Sequence, residues 1–291
     1  APGLDTKLLS VAPSDVAAGP ISSYFVQRYG FRSDCLVLPF SGDNPCSLIG
    51  LGLVDPGRVA LSLGTSDTMF ACMDRPHPAT AGEGALFASP DERNYMALIC
   101  FLNGSLAREA VRDQFDLNWE DFARLLSSSH PGNEGGLMLP YFSAEIVPNV
   151  SRPGVVRQGF EEENAAANVR AVIEAQALAT KIHSTWMGVE VQSLSVTGGA
   201  SVNPQILQVY ADVHDCPVHR FQTTNSAALG AALRARHGHL LATTGTANWT
   251  EVVGPFTRPE SGSTIEPDPS VKSVYDELER RYRDLERQHA C

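Results

Sequence analysis

Between residues 35 and 101 the apolar positions come in short blocks cut by turn residues, and beyond residue 103 they recur mainly at three- and four-residue steps. The first pattern predicts strands and the second predicts helices. Blocks at 35–40, 58–63, 68–73 and 95–101 are apolar or β-branched and bounded by Gly, Pro, Asp or Asn, so each reads as a strand and the last three as a meander. Ser41, Gly42, Asp43 and Asn44 close the first block before an apolar segment that begins near Cys46 and reads as a helix. Gly64, Thr65, Ser66 and Asp67 join the second block to the third, a tight connection in which Gly64 permits positive φ.

Asn103 is placed to cap a helix reaching about Phe115, and 119–126 reads as another short helix. In 165–189, Val172, Ala175, Ala179, Ile182 and Trp186 share one face while Arg170, Glu174 and Lys181 fall opposite, the pattern of an amphipathic helix with one side on the core. A strand at 194–197 runs into Gly198 and Gly199, after which Asn203 and Pro204 signal a helix to about Asp215. A brief strand at 217–221 then precedes a helix of small residues, 227–236, capped by Asn225 and ended by Gly238. A linker at 254–270 and a terminal helix marked by Val274, Leu278, Tyr282 and Leu285 finish the chain. Residues 1–22 offer only one short helical stretch, around Leu8 and Leu9. Antiparallel strands, then helices, then alternating strands and helices predict an α/β fold, a mixed sheet with helices packed on it.

A length of 291 residues suits about two domains. The formal charge of −11 and the lack of any Lys/Arg block argue against nucleic acid and anionic lipid as partners. No apolar run approaches the roughly 18–20 residues of a membrane span, and no signal-peptide pattern opens the chain, so a cytosolic setting is expected. Six cysteines without a CxxC pair read as reduced and structural. Ala1 is not a methionine, and the chain reads as the C-terminal part of something longer.

Chemistry narrows by elimination. Only Lys7, Lys181 and Lys272 are lysines, no Walker-type phosphate loop or G-x-G-x-x-G occurs, and neither a nucleophile elbow nor metal-ligand spacing of Cys and His is present. Two glycine-bearing turns at strand ends remain, one at Gly64, Thr65 and Ser66 and one at Gly198, Gly199, Ala200 and Ser201, together with the acidic turn at Asp43 and Asn44. Glycine lets backbone N–H groups approach phosphate oxygens, and hydroxyls add donors without a lysine. Taken singly, these are equally a hairpin turn, a strand-to-helix connection and an Asx-turn or helix cap.

Their joint order resembles the C-terminal half of the FGGY carbohydrate kinases, whose fold is of the actin-like ATPase, ribonuclease H-like type. The likeness is carried by residues 21–31, 42–45, 61–68, 95–98, 103–106 and 197–201, by Asn203, and by 225–227. Within that family these segments are most similar to the animal members that phosphorylate xylulose. The resemblance implies ATP-dependent phosphorylation of D-xylulose to D-xylulose 5-phosphate, with Mg2+ held mainly through the nucleotide. It implies Asp43 as the base that takes the sugar hydroxyl proton and Asn44 as a residue that helps hold the sugar. It assigns Gly64, Thr65 and Ser66 to the β- and γ-phosphates, and Gly198, Gly199, Ala200 and Asn203 to the nucleotide, with the helix after Asn203 offering free N–H groups to the anion. Trp119 is expected to border the nucleotide pocket, or else to be a core aromatic. The family's other phosphate loop, Asp-x-Gly followed by Ser or Thr, does not occur in the chain, since Asp55-Pro56-Gly57 is followed by Arg58. The expected division is 1–54 as a remnant of the sugar-binding domain with the Asp43 segment, 55–253 as the nucleotide-binding domain, and 254–291 as linker and terminal helix. An FGGY kinase for another ketose, polyol or sugar acid is the near alternative, and a non-catalytic nucleotide-binding or interaction module is the alternative of a different class.

Overall fold

The protein is described here by a computed structural model covering residues 3–4, 6–8, 13–79, 82–221 and 225–289; Leu9 and Cys291 lie outside that description. In chain order the elements are β1 Gly19–Pro20, α1 Ser23–Tyr29, β2 Leu36–Val37, α2 Asp43–Gly50, β3 Arg58–Leu63, β4 Asp67–Met73, β5 Ala85–Ala88, β6 Tyr95–Phe101, α3 Ser105–Gln114 and α4 Trp119–Ser128. There follow β7 Leu137–Tyr141, β8 Gly154–Gln158, α5 Ala165–His183, β9 Ser193–Thr197, α6 Pro204–His214, β10 Val218–Arg220, α7 Ser226–Thr244, α8 Trp249–Val253 and α9 Lys272–His289.

The described residues of 1–54, 88–94 and 225–257 form one compact unit, and those of 55–87, 95–224 and 258–291 form a second. This differs from a division at 54 and 253: residues 225–257 fold with the first unit because α7 packs on α2. The contact is backbone against backbone. A Cβ on Gly230 would lie 1.7 Å from the Cys46 carbonyl oxygen, and one on Gly50 would lie 1.9 Å from that of Ser226. The small residues that open α7 therefore serve a helix pair, which Ser226 Oγ joins by donating to Ser47 Oγ at 3.1 Å. Ile49, Val54, Leu233, Trp249, Val252 and Val253 make the apolar centre of this unit. α7 does not stop at Gly238 but runs through it to Thr244, where Gly245 in the left-handed region ends it. The strand expected at 35–40 shrinks to β2, paired only with the two residues of β1. Residues 6–8, expected to be helical, form a turn and bend instead.

In the second unit a six-stranded mixed sheet runs in the order β10-β9-β3-β4-β6-β5. β10, β9 and β3 are parallel, while β3, β4 and β6 form the antiparallel meander. β5, an edge strand, has no counterpart in the sequence reading because its alternation is too short. β4 is buried along almost its whole length, as expected for a sheet covered on both faces. α5 is one of the covering helices and is not amphipathic. It ends at His183, followed by a short 3-10 turn, and Arg170 and Glu174, expected to face solvent, are 6% and 1% exposed. Arg170 donates to the Leu126 and Ser129 carbonyls at 2.8 and 2.7 Å, and Glu174 accepts from the Gly132 amide at 2.7 Å and the Tyr275 hydroxyl at 2.9 Å. Polar side chains thus fasten α5 to its neighbours where periodicity assigns them to water. The stretch expected as a linker carries Ile265, which bridges to Val218. α9 then packs inward through Tyr275, Leu278, Tyr282 and Leu285. Among the described residues no helix is long and apolar enough to cross a membrane, and Cys35, Cys46, Cys72, Cys100 and Cys216 are free thiols.

Candidate functional site

Both glycine-bearing turns lie at the carboxyl ends of neighbouring parallel strands in the second unit. Ser62 of β3 is in register with Thr197 of β9, so the turns that follow them leave the sheet side by side. Gly198 makes that closeness possible. Its φ of +92° is one that other residues rarely adopt, and a Cβ there would lie 2.4 Å from the Leu63 carbonyl oxygen. Positive φ is found at Gly198 and not at Gly64, where the sequence pointed to it.

Residues 64–66 form the hairpin between β3 and β4, with Leu63 opposite Asp67. Thr65 is exposed and Ser66 half-buried, and neither hydroxyl has a hydrogen-bond partner among the described residues. Beneath this turn lies a buried polar network. Arg108, 1% exposed, donates to both oxygens of Asp67 at 2.9 and 3.0 Å, to Gln176 Oε1 at 2.8 Å and to the Gly64 carbonyl at 3.2 Å. Gln176 Nε2 in turn donates to the Asn103 and Gly104 carbonyls, both at 2.8 Å. Burial pushes the Asp67 carboxyl up against the downward pull of Arg108, and the Asp67 carboxylate holds the guanidinium in its charged form despite its own burial. Gly104 lets the start of α3 abut the turn, since a Cβ there would lie 2.6 Å from the Asp67 amide and 2.8 Å from the Thr65 carbonyl.

Asn103 corrects the sequence reading. It does not cap α3, whose N-cap is Gly104 without a side-chain bond. It is buried instead, donating to the Ser143 carbonyl and Glu145 Oε2 and accepting from the amide and hydroxyl of Ser143. Glu145 completes the arrangement by accepting from the Leu102, Asn103 and Ile146 amides.

After β9, residues 199–202 form one 3-10 turn, and α6 starts at Pro204 with Asn203 as its cap. The expectation of free N–H groups at that helix start fails. Pro204 has no N–H, the Gln205 and Ile206 amides both point to Asn203 Oδ1 at 2.9 and 3.4 Å, and Leu207 bonds the Asn203 carbonyl. The first bond of the 3-10 turn is from the Ser201 amide to Gly198, so the amides of Gly199 and Ala200 precede it without a partner in the turn.

Trp119 and Asn203 border one open groove of ≈ 540 Å³ in the second unit, with Arg124, Val202 and Gln205. Trp119 is 44% exposed, packs edge-on against Phe122 at 5.5 Å between centroids, and carries the Arg112 guanidinium 4.7 Å over its ring. It is a surface aromatic held in place and not a core one. Asp43 and Asn44 belong to the first unit. Asp43 is the first residue of α2, exposed, with Oδ1 accepting the Asn44 amide at 2.8 Å. The structure thus gathers residues 64–66, 198–200, Trp119 and Asn203 into one unit and leaves Asp43 and Asn44 in the other.

A mixed sheet of this strand order, with glycine turns at the ends of its central strands, is that of an α/β protein of the actin-like ATPase fold. The solved structure of a gluconate kinase from Lactobacillus acidophilus has that fold, superposing with a TM-score of 0.86 at 21% identity over 98% of this chain and 58% of its own. The chain belongs to the FGGY family of carbohydrate kinases, whose C-terminal domain matches residues 59–239. It is 44% identical to the xylulose kinase of Mus musculus over 298 residues, covering 98% of this chain and 52% of the relative. The crystal structure of a xyloylose kinase from Brucella ovis superposes with a TM-score of 0.79 at 26% identity, over 94% of this chain and 56% of its own. The chain therefore spans about half the length of the relatives it matches.

Proposed function

We propose that this chain supplies the nucleotide-binding part and the proton-accepting carboxylate of a kinase that transfers the γ-phosphoryl group of ATP to D-xylulose, giving ADP and D-xylulose 5-phosphate. The observation that carries the reading is the pair of turns at the ends of β3 and β9: hydroxyls at Thr65 and Ser66, and amides at Gly199 and Ala200 that have no partner among the described residues, form one donor-lined edge. Phosphoryl transfer leaves little covalent work to the protein, which positions an in-line nucleophile and offsets phosphate charge. Hydroxyl and amide donors do the second part in a site without lysine. Trp119 and Asn203 border the groove assigned to the nucleoside. Asp43, exposed and without an ion pair among the described residues, accepts the proton of the sugar hydroxyl, and Asn44 beside it takes a sugar contact. Mg2+ would be held mainly through the nucleotide phosphates, with Thr65 and Ser66 beside it. The hydroxyl oxygens of Thr65 and Ser66 are donors of the kind this hard cation accepts, and its charge offsets that of the phosphates.

The test is ADP release with ATP, Mg2+ and a panel of pentuloses, polyols and sugar acids, using the chain fused to the half that its mouse relative carries in addition. D-xylulose is expected to give the highest kcat/KM, and Asp43→Ala is expected to abolish turnover while ATP affinity stays within about twofold. Turnover unchanged in Asp43→Ala removes it as the base, and preference for another sugar overturns the substrate.

A further inference from the structure

The buried pair under the 64–66 hairpin is costly for what it contributes to stability. An arginine and an aspartate removed from water lose several kcal/mol of hydration each, and a well-packed apolar pair of similar volume is often as stable or more so. What the ions supply here is geometry. The turn has two ends, and one guanidinium holds both: the Gly64 carbonyl at its start and the Asp67 carboxylate at its finish. The Ser105 amide also donates to the Gly64 carbonyl at 2.9 Å, and Gln176 ties the guanidinium to the Asn103 and Gly104 carbonyls. Between the fixed ends the Thr65 and Ser66 side chains project with no hydrogen-bond partner among the described residues. A turn that exposes its hydroxyls while its backbone is anchored from below is preorganised for a ligand.

We infer that Arg108, Asp67 and Gln176 are positioning residues that lock the 64–66 turn into the conformation in which its donors meet the terminal phosphates of a nucleotide. The inference rests on the nucleotide reading above. Arginine is required because only a planar fork spans two carboxylate oxygens, a carbonyl and an amide oxygen together; lysine keeps the charge and loses the fork.

The test separates phosphate positioning from plain stability by measuring binding of Mg-ATP and of AMP to the chain itself, with urea midpoints taken in parallel. AMP shares the nucleoside and lacks the two phosphates assigned to the turn. In Arg108→Lys the ATP-to-AMP affinity ratio is expected to fall about tenfold, chiefly through ATP, with AMP changed less than about twofold. Gln176→Leu removes one strut and leaves the ion pair, so it serves if Arg108→Lys does not fold, and a fall of about threefold in the same ratio is expected. A folded variant whose ATP-to-AMP ratio equals that of the parent overturns the inference, as does equal weakening of both ligands. If the parent chain itself binds ATP no better than AMP, the phosphate assignment of the turn fails instead, and the two failures are distinct.

Discussion

Replacing Gly230 by alanine sets two effects of opposite sign against each other. In a helix interior alanine is favoured over glycine by about 1 kcal/mol, so at an open position in α7 the change would stabilise. Here the new Cβ would sit 1.7 Å from the Cys46 carbonyl oxygen. That atom is backbone in the partner helix and cannot rotate aside, so α2 and α7 must part by more than ~1 Å to restore an ordinary contact. A gap of that size forfeits roughly a quarter to a half of each facing dispersion contact, and overpacking of this kind costs about 1–3 kcal/mol or more. The clash is with backbone, so the upper end of that range applies, and after the propensity gain a net loss of about 2 kcal/mol is expected. Trp249 reports on this unit, buried and stacked on His237 with ring centroids 3.9 Å apart. Its fluorescence in a Trp119→Phe, Trp186→Phe background gives the urea midpoint. Gly238→Ala in the same helix is the comparison, because its nearest obstacles are the Leu38 methyls at 2.7 and 2.8 Å, which can rotate, and its nearest backbone atom, the Asp15 carbonyl oxygen, is 3.0 Å away and needs a shift of only a few tenths of an ångström. Its net change should stay within about 1 kcal/mol. A midpoint for Gly230→Ala at or above that of the parent would refute the backbone contact and leave propensity in charge.

Asn103→Ser distinguishes a buried network from a helix cap: serine caps as well as asparagine, so a capping role predicts a change near zero, whereas loss of the Glu145 and Ser143 bonds predicts about 2 kcal/mol in urea unfolding followed through the tryptophans. Burial pushes the Glu174 carboxyl up to about 7 from its ordinary 4.5. A raised carboxyl keeps its proton in the folded chain where the unfolded chain has lost it, so this stabilising contribution is full below about pH 4.5 and is lost as pH rises through about 7. Glu174→Gln should therefore gain on the parent by about 2–3 kcal/mol between pH 5 and pH 8, and parallel stability profiles would contradict the assignment.

What the sequence made legible was whatever is settled locally. β3, β4 and β6 followed from apolar blocks between turn residues, and the caps at Asn203 and Asn225 mark helix starts where the structure has them. What it hid was settled across distance. Arg170 and Glu174 were assigned to water because periodicity treats every charge as solvent-facing, while their partners lie near residues 126–132 and at 275. The Gly50 and Gly230 contact joins positions that no local pattern relates. In the site the same line divides the hydroxyl and glycine turns, visible from their residue types, from Arg108 and Gln176, whose partners lie 41 and more residues away. A weak signal existed for Arg108, which shares a helix face with the apolar Val111 three positions on.

Asn203 shows how a correct local reading can give the wrong chemistry. Asparagine before proline marks the helix start, and the structure has it as the cap. The same cap oxygen then takes the Gln205 and Ile206 amides, and Pro204 contributes none, so the donors first assigned to an anion are already used. An oxygen that satisfies the helix end competes with any ligand for the same hydrogens. In the proposed site the donors left for an anion are then the Gly199 and Ala200 amides, one turn earlier, where Gly198 brings the chain against Leu63. That places them beside the 64–66 hairpin, and it leaves Asn203 to shape the groove it shares with Trp119.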